Sequence, residues 1–207
     1  MNICDLGNKI KKRETPNDVV YTPKKLAELM ISFCDIKEND LVLDCCKGAG
    51  VFYNNYPKNC LKEWCEITED RDFFKYNKKV AWICSNPPYS LWTSWLKHTM
   101  EICDNFCYVF GQMNLTTSRL KMIEDAGFIM TKIHIVKVRW WFGCSFVCVF
   151  KRGNKKDSVI SVSDKHFFCD ICNLSTCMRG KWQQVKGVRK KRGSNDCSNL
   201  NRIKNIS

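Results

Sequence analysis

Two short stretches of this 207-residue chain carry residue types and spacings suited to chemistry. The first is Asn86-Pro87-Pro88-Tyr89, directly after the apolar run Val80-Ala81-Trp82-Ile83-Cys84 and Ser85. Two prolines fix the backbone and remove two N–H donors, so the carbonyls before and between them are free to accept from a ligand. An asparagine side-chain oxygen beside such carbonyls can accept from an amino group. A tyrosine just beyond offers a flat face for stacking on a base. A rigid loop that only caps a strand is the competing reading. The second stretch is Asp44-Cys45-Cys46-Lys47-Gly48-Ala49-Gly50, where an acid closes an apolar run and glycines follow in a bend. Glycines let a backbone approach a ligand closely, because no Cβ intervenes. Glu66 lies 22 residues after Asp44, and an acid about 20 residues past a glycine-rich turn is placed to accept from ribose hydroxyls. The pattern is not G-x-G-x-x-G, so a pyrophosphate site is disfavoured and a nucleoside cofactor without phosphates suits it better. An ordinary tight turn competes here too.

The flanking elements must hold these two loops at one edge. Pro23 and the spacing of Leu26, Leu29, Met30 and Phe33 predict a helix over 23–34. Leu41-Val42-Leu43-Asp44 reads as a buried parallel strand, with further strands at 61–67 and 80–84. A helix is expected over 90–102, a strand over 106–110 and a helix over 117–126, with Thr116 or Thr117 as N-cap and Gly127 as the stop. Residues 129–139 and 145–150 read as strands joined by a hairpin through Gly143. Strand, helix, strand repeated, then an antiparallel finish, implies an α/β sheet with helices on both faces.

Composition bounds the function. A net charge of +13 is unevenly placed: residues 1–150 carry 20 basic and 17 acidic side chains, and residues 151–207 carry 14 and 4. The basic excess in the last quarter suggests a polyanionic partner, against the alternative of a solvated tail. No apolar run reaches membrane-spanning length, and the first residues lack the layout of a secretory signal, so no membrane role is expected. The 15 cysteines mostly sit inside apolar runs, where thiols act as small buried hydrophobes. That predicts an intracellular, reducing compartment, cytoplasm or nucleoid or nucleus.

Taken together and in this order, the Asp44–Gly50 and Ser85–Ser90 segments resemble the class I S-adenosylmethionine-dependent methyltransferases that modify the exocyclic amine of adenine. Tyr21-Thr22-Pro23 is similar to that family's upstream motif, whose Thr-Pro packs against the methionine part of the cofactor. Glu66 corresponds to its ribose-binding acid, and Asp72-Phe73-Phe74 to the acid-plus-aromatic motif flanking the cofactor's adenine, with Asp70 as a rival. The arrangement is γ-like and most similar to small phage and viral DNA adenine methyltransferases, over residues 18–150. The resemblance implies a Rossmann-like mixed sheet with an antiparallel last hairpin in a catalytic domain over 1–150. It implies S-adenosylmethionine held by Tyr21, Thr22, Pro23, Asp44, Gly48, Gly50, Glu66 and Asp72, and catalysis at Asn86, Pro87, Pro88 and Tyr89. The chain departs from the family between Glu66 and Asp72, where six residues leave no room for the usual crossover helix. It departs again at Cys45, Cys46 and Lys47, where small and polar residues are common.

Residues 151–207 form a small, basic, cysteine-containing appendage. Cys169, Cys172, Cys177 and Cys197 have the ligand type and knuckle spacing of a structural zinc site, with His166 as an alternative fourth ligand. Free thiols are the competing reading. Lys186 to Arg192 reads as a phosphate-contacting run, which gives affinity without base information. Trp140-Trp141-Phe142 is placed either to hold a nucleotide at a hairpin rim or to pack. The leading expectation is a DNA adenine-N6 methyltransferase that either reads a short site or takes its target specificity from a protein partner. An RNA methyltransferase and a catalytically silent nucleic-acid-binding subunit are the alternatives.

Overall fold

The structure is a computed structural model and describes residues 20–139, 141 and 143–162. Six strands form one sheet in the order β2-β1-β3-β4-β6-β5. They are β1 (Leu41–Asp44), β2 (Leu61–Trp64), β3 (Val80–Ser85), β4 (Cys103–Gly111), β5 (Phe128–Val136) and β6 (Ser145–Arg152). β2, β1, β3 and β4 run parallel. β6 runs antiparallel to both β4 and β5, so the chain ends the sheet in a hairpin. Among the described residues three helices flank it: α1 (Lys24–Ser32), α2 (Trp92–Ile102) and α3 (Thr117–Asp125).

Side chains alternate along each strand, and the alternation builds two cores. On one face Leu43, Ile83, Phe106, Tyr108, Phe110, Cys148 and Phe150 pack under Trp92, Trp95 and Leu96 of α2 and Ile123 of α3. On the other, Val42, Trp82, Cys84, Cys107, Val109, Val147 and Val149 pack under Leu26, Ala27, Met30 and Ile31 of α1. The first core is largely aromatic: Trp92 stacks on Phe110 at 4.3 Å between centroids, and Phe106 on Phe150 at 4.7 Å.

The helices start and stop as their residues dictate. The Pro23 carbonyl accepts from Leu26 and Ala27 in the first turn of α1. The Thr116 hydroxyl accepts from the Arg119 N–H at 3.4 Å and caps α3, and Gly127 at φ +83 turns the chain into β5. Gly143, at φ +65, lies in the β5–β6 connection.

The expected shortening between β2 and β3 is present. Glu66 and Arg71 form an antiparallel bridge, and two short 3-10 turns, Ile67–Glu69 and Phe73–Lys75, replace a crossover helix. Beyond the expected boundary at residue 150, β6 continues to Arg152, the Val159 N–H donates to the Met130 carbonyl at 2.9 Å, and Ile160 packs on the aromatic core. The expected zinc residues Cys169, Cys172, Cys177 and Cys197 lie outside the described residues, as do Trp140 and Phe142. Trp141 is half-buried against the α1 core, which is the packing role of the two considered. Among the described residues, no helix is long and apolar enough to cross a membrane.

Candidate active site

Ligands of open parallel sheets bind beyond the carboxyl ends of the strands, where the strand order reverses. Here that point lies between β1 and β3, since β1 leads outward to β2 and β3 leads outward to β4. The two segments with chemical character leave the sheet at this place.

Asp44 ends β1 and is fully buried. Its Oδ1 accepts from the Ser85 hydroxyl at 2.8 Å and its Oδ2 from the Tyr53 N–H at 3.2 Å. Burial pushes the Asp44 carboxyl up to about 6, against the downward pull of those hydrogen bonds. The Asp44 side chain therefore fastens the end of β3 and the segment after the glycines to the end of β1. Below it, the buried Tyr56 hydroxyl donates to the carbonyls of Leu43, at 3.2 Å, and Cys84, at 2.5 Å, joining the same two strands.

The loop after Asp44 bends through Gly48 at φ +49 and Gly50 at φ +78. A Cβ on Gly50 would sit 3.0 Å from Asn54 Nδ2. Gly127 shares the left-handed backbone, but nothing lies within 4 Å of a Cβ placed there. Gly50→Ala is thus expected to cost about 1–2 kcal/mol, and more than Gly127→Ala, which carries the strain without the collision. Paired thermal melts would read the difference; equal losses would show that the fit against Asn54 contributes nothing.

Glu66 sits at the rim of this loop. Its Oε2 accepts from the Gly48 N–H at 2.8 Å, and its Oε1 from the Thr68 N–H and hydroxyl at 3.2 and 2.9 Å. Partial burial pushes the Glu66 carboxyl up, but the Gly48 and Thr68 hydrogen bonds outweigh it and hold it below its ordinary value. Beside it, Lys47 pairs with Glu69 at 2.8 Å and lies 3.5 Å from the Trp64 ring centroid, while Arg71 stacks on that ring at 4.0 Å.

The Asn86 amide nitrogen donates to the Val20 carbonyl at 3.2 Å, whereas its Oδ1 is buried and without a hydrogen-bond partner among the described residues. The Asn86 carbonyl accepts from the Cys46 thiol at 3.1 Å, and the same sulfur lies 3.1 Å from the Ser85 hydroxyl. Cys46 thus couples the glycine loop to the proline loop. Tyr89 is turned inward: its ring stacks on Trp92 at 5.8 Å, a Cβ on Gly111 would lie 3.0 Å from it, and burial raises its hydroxyl pKa.

A cleft of about 600 Å³ opens above these loops, lined by Tyr21, Thr22, Cys46, Gly48, Phe52 and Asn86 together with Lys24, Lys47 and Asn54. The structure therefore brings four expected residues, Tyr21, Thr22, Gly48 and Asn86, to one cavity. Pro23 stands at its margin as the N-cap of α1. Asp44 and Gly50 support it from below, and Glu66 grips Gly48 at the rim. Asp72 does not line it; its carboxylate accepts from the Phe74 N–H at 2.9 Å and caps a 3-10 turn. The rival Asp70, at φ +56, does not line it either. Sequence reasoning missed Ser85, Cys46 as a coupling thiol, Phe52 and Asn54. Ser85 alone had a signal, its place between a strand end and the proline pair; the others follow a bend with no periodic pattern.

No protein-family model matches the chain, and no curated protein matches it. Solved structures do. Magnesium protoporphyrin IX methyltransferase from Synechocystis PCC 6803, with bound S-adenosylmethionine, superposes with a TM-score of 0.51 at 13% identity, over 62% of this chain and 77% of that one. Precorrin-6y C5,15-methyltransferase from Geobacter metallireducens GS-15 gives 0.51 at 10% identity, over 65% and 92%. A type I restriction-modification methyltransferase subunit from Streptococcus thermophilus gives 0.50 at 14% identity, over 65% and 45%. The fold is that of the class I, Rossmann-like methyltransferases.

Proposed function

We propose that this chain transfers a methyl group from S-adenosylmethionine to the exocyclic N6 of adenine in DNA. The observation that carries this reading is the Asn86 side-chain oxygen, buried and without a partner among the described residues, on the wall of a cleft whose floor is the glycine loop. A buried acceptor left unpaired costs about 1–3 kcal/mol, and an amino group delivered to it removes that cost. The adenine N6 lone pair is delocalised into the ring and is a weak nucleophile. Hydrogen bonds from N6 to Asn86 Oδ1 and the Pro87 carbonyl favour a tetrahedral nitrogen and localise that pair. Positioning and fixed dipoles then supply the rate enhancement, with no general base of unusual pKa.

The residues present fit the cofactor. Gly48 leaves room for a ligand against the backbone, and Gly50 makes the bend against which Asn54 packs. Glu66 Oε2 keeps a lone pair beyond the one it offers Gly48, and takes a ribose hydroxyl in this reading. Tyr21 and Thr22 line the cleft and would hold the methionine part of the cofactor. When bound, the cofactor supplies an electrophilic methyl on a sulfonium. In a duplex the adenine must leave the stack, and Tyr89 must turn out from beside Trp92 to cover it.

The constellation addresses a base rather than a sugar, so RNA is the competing substrate. Matched DNA and RNA offered with labelled cofactor separate the two. Label in DNA is the expected result, and label on RNA only overturns the DNA assignment. Absence of cofactor binding by calorimetry, with no methylation to lose in Asn86→Ala, would leave a silent nucleic-acid-binding subunit.

In this reading residues 151–207 grip phosphates, and Cys169, Cys172, Cys177 and Cys197 hold a structural zinc. Metal analysis of chain purified without a metal-affinity tag is expected to give about one zinc, lost in Cys169→Ser/Cys172→Ser. Protein free of zinc would refute that site.

A further inference from the structure

Most cysteines of the body are dispersed in the two cores, but three of them converge. Cys34 lies just past the end of α1, and Cys84 and Cys107 are register partners across the parallel pair β3–β4. Their sulfur atoms all lie within 4.8 Å of one another. The Cys34 thiol donates to the Met30 carbonyl at 3.4 Å and the Cys107 thiol to the same carbonyl at 3.7 Å, so both are drawn to one point under the helix. All three are free thiols in the core beneath α1, on the face away from Trp92. The sequence gives no spacing signal for the trio, because the three residues come from three distant elements.

We infer that Cys34, Cys84 and Cys107 form a three-thiolate site for a soft, closed-shell monovalent cation of the copper(I) class. Thiolate sulfur is the donor that selects such ions. A metal–thiolate bond of about 2.3 Å places three sulfurs around one centre at mutual separations of about 4 Å, so the observed trio needs to contract only slightly. Structural zinc sites are almost always four-coordinate. Among the described residues, no fourth histidine, cysteine or carboxylate joins this group, and Cys84 and Cys107 are fully buried, which leaves no wet coordination position. A three-coordinate ion meets both conditions. Cys34, 9% exposed, is the side from which an ion enters. Lys151, whose ammonium lies 5.3 Å from the Trp82 ring centroid on this face, supplies positive charge to offset the thiolates. Each ligating thiol loses its proton to solvent as the metal binds.

Cys84 is two residues before Asn86, so such an ion would clamp α1 to the root of the proline loop. The site stands independently of the methyltransferase reading.

The test is a copper(I) titration of the full chain under reducing conditions, against a chromophoric copper(I) chelator. Wild type is expected to take up one tightly held equivalent more than Cys34→Ser and Cys107→Val; equal uptake overturns the assignment. Displacement of that equivalent by equimolar zinc would also overturn it, since it would require a fourth ligand. If either variant loses its circular dichroism spectrum, the wild type labelled with ¹³C at cysteine Cβ decides. The Cβ resonances of Cys34, Cys84 and Cys107 should shift together on the first equivalent, and unmoved resonances would refute the site.

Discussion

Asn86→Ala is expected to lower methyl transfer about 10²–10³-fold, the usual loss when one preorganised hydrogen-bonding group at a reacting centre is removed. Cofactor affinity should change little, because the glycine loop, Glu66 and Tyr21 are untouched. The physical basis is the division of labour within one amide. The nitrogen anchors the side chain on the Val20 carbonyl, and the oxygen is left buried beside the cleft with no partner among the described residues. Alanine removes both functions, whereas Asn86→Asp keeps an acceptor and loses the anchor. Single-turnover rates should therefore rank wild type above Asn86→Asp above Asn86→Ala. A fall in cofactor binding parallel to the fall in rate would mean that Asn86 holds the loop together rather than the substrate.

The second large effect concerns stability and pH. Asp44 titrates near 6 in the folded protein, raised by burial from an ordinary value of 3.8. The folded state therefore keeps its proton where the unfolded chain has released it. Between pH 3.8 and about 6 the folded state binds more protons, so stability falls as pH rises through that window. Above it, ionised Asp44 costs the fold about 3 kcal/mol relative to strongly acidic solution. Asp44→Asn removes this cost: the amide oxygen is left to accept from the Tyr53 and Cys46 N–H groups, the amide nitrogen donates to Ser85, and Ser85 turns its hydrogen to the Cys46 sulfur. Denaturant unfolding should show a variant near wild type at pH 3.5 and more stable at pH 7.5, the gain developing between pH 4 and 6. A variant less stable than wild type at pH 7.5 would show that the charge itself holds the loops. Wild type retains this costly acid at the point where both loops leave the sheet, and such a placement is characteristic of functional sites.

Much of the sheet was legible because β1, β3, β4 and β6 carry apolar runs of the right length between turn residues. The strands expected over 80–84 and 145–150 are there as Val80–Ser85 and Ser145–Arg152, and Gly127 and Gly143 marked the turns. Strand ends were less legible. β2 stops at Trp64 rather than Ile67, because Glu66 turns away to bridge Arg71. The helix expected from residue 90 begins at Trp92, because a 3-10 turn over Tyr89–Leu91 carries the chain out of the prolines.

At the site, the sequence marked the backbone features well. Glycine and proline state their conformational purpose locally, and Asn86 and Glu66 follow from their spacing. Tertiary choices were hidden. Nothing in Asp72-Phe73-Phe74 showed that the acid would cap its own turn, while Phe73 stacks on Trp95 at 4.4 Å. Nothing local showed that Tyr89 would be tucked against Gly111, a contact between residues 22 positions apart. The coupling thiol Cys46 and the trio of Cys34, Cys84 and Cys107 were indistinguishable from the other buried cysteines until the fold placed their partners.

The central claim is methyl transfer to adenine N6 in DNA. Its most direct test is nucleoside mass spectrometry of DNA from cells expressing the full chain, beside cells expressing Asn86→Ala. The account predicts N6-methyladenine above background with the wild type and at background with the variant, with N4-methylcytosine unchanged in both. Cofactor-loaded, folded protein that leaves N6-methyladenine at background in DNA would contradict it.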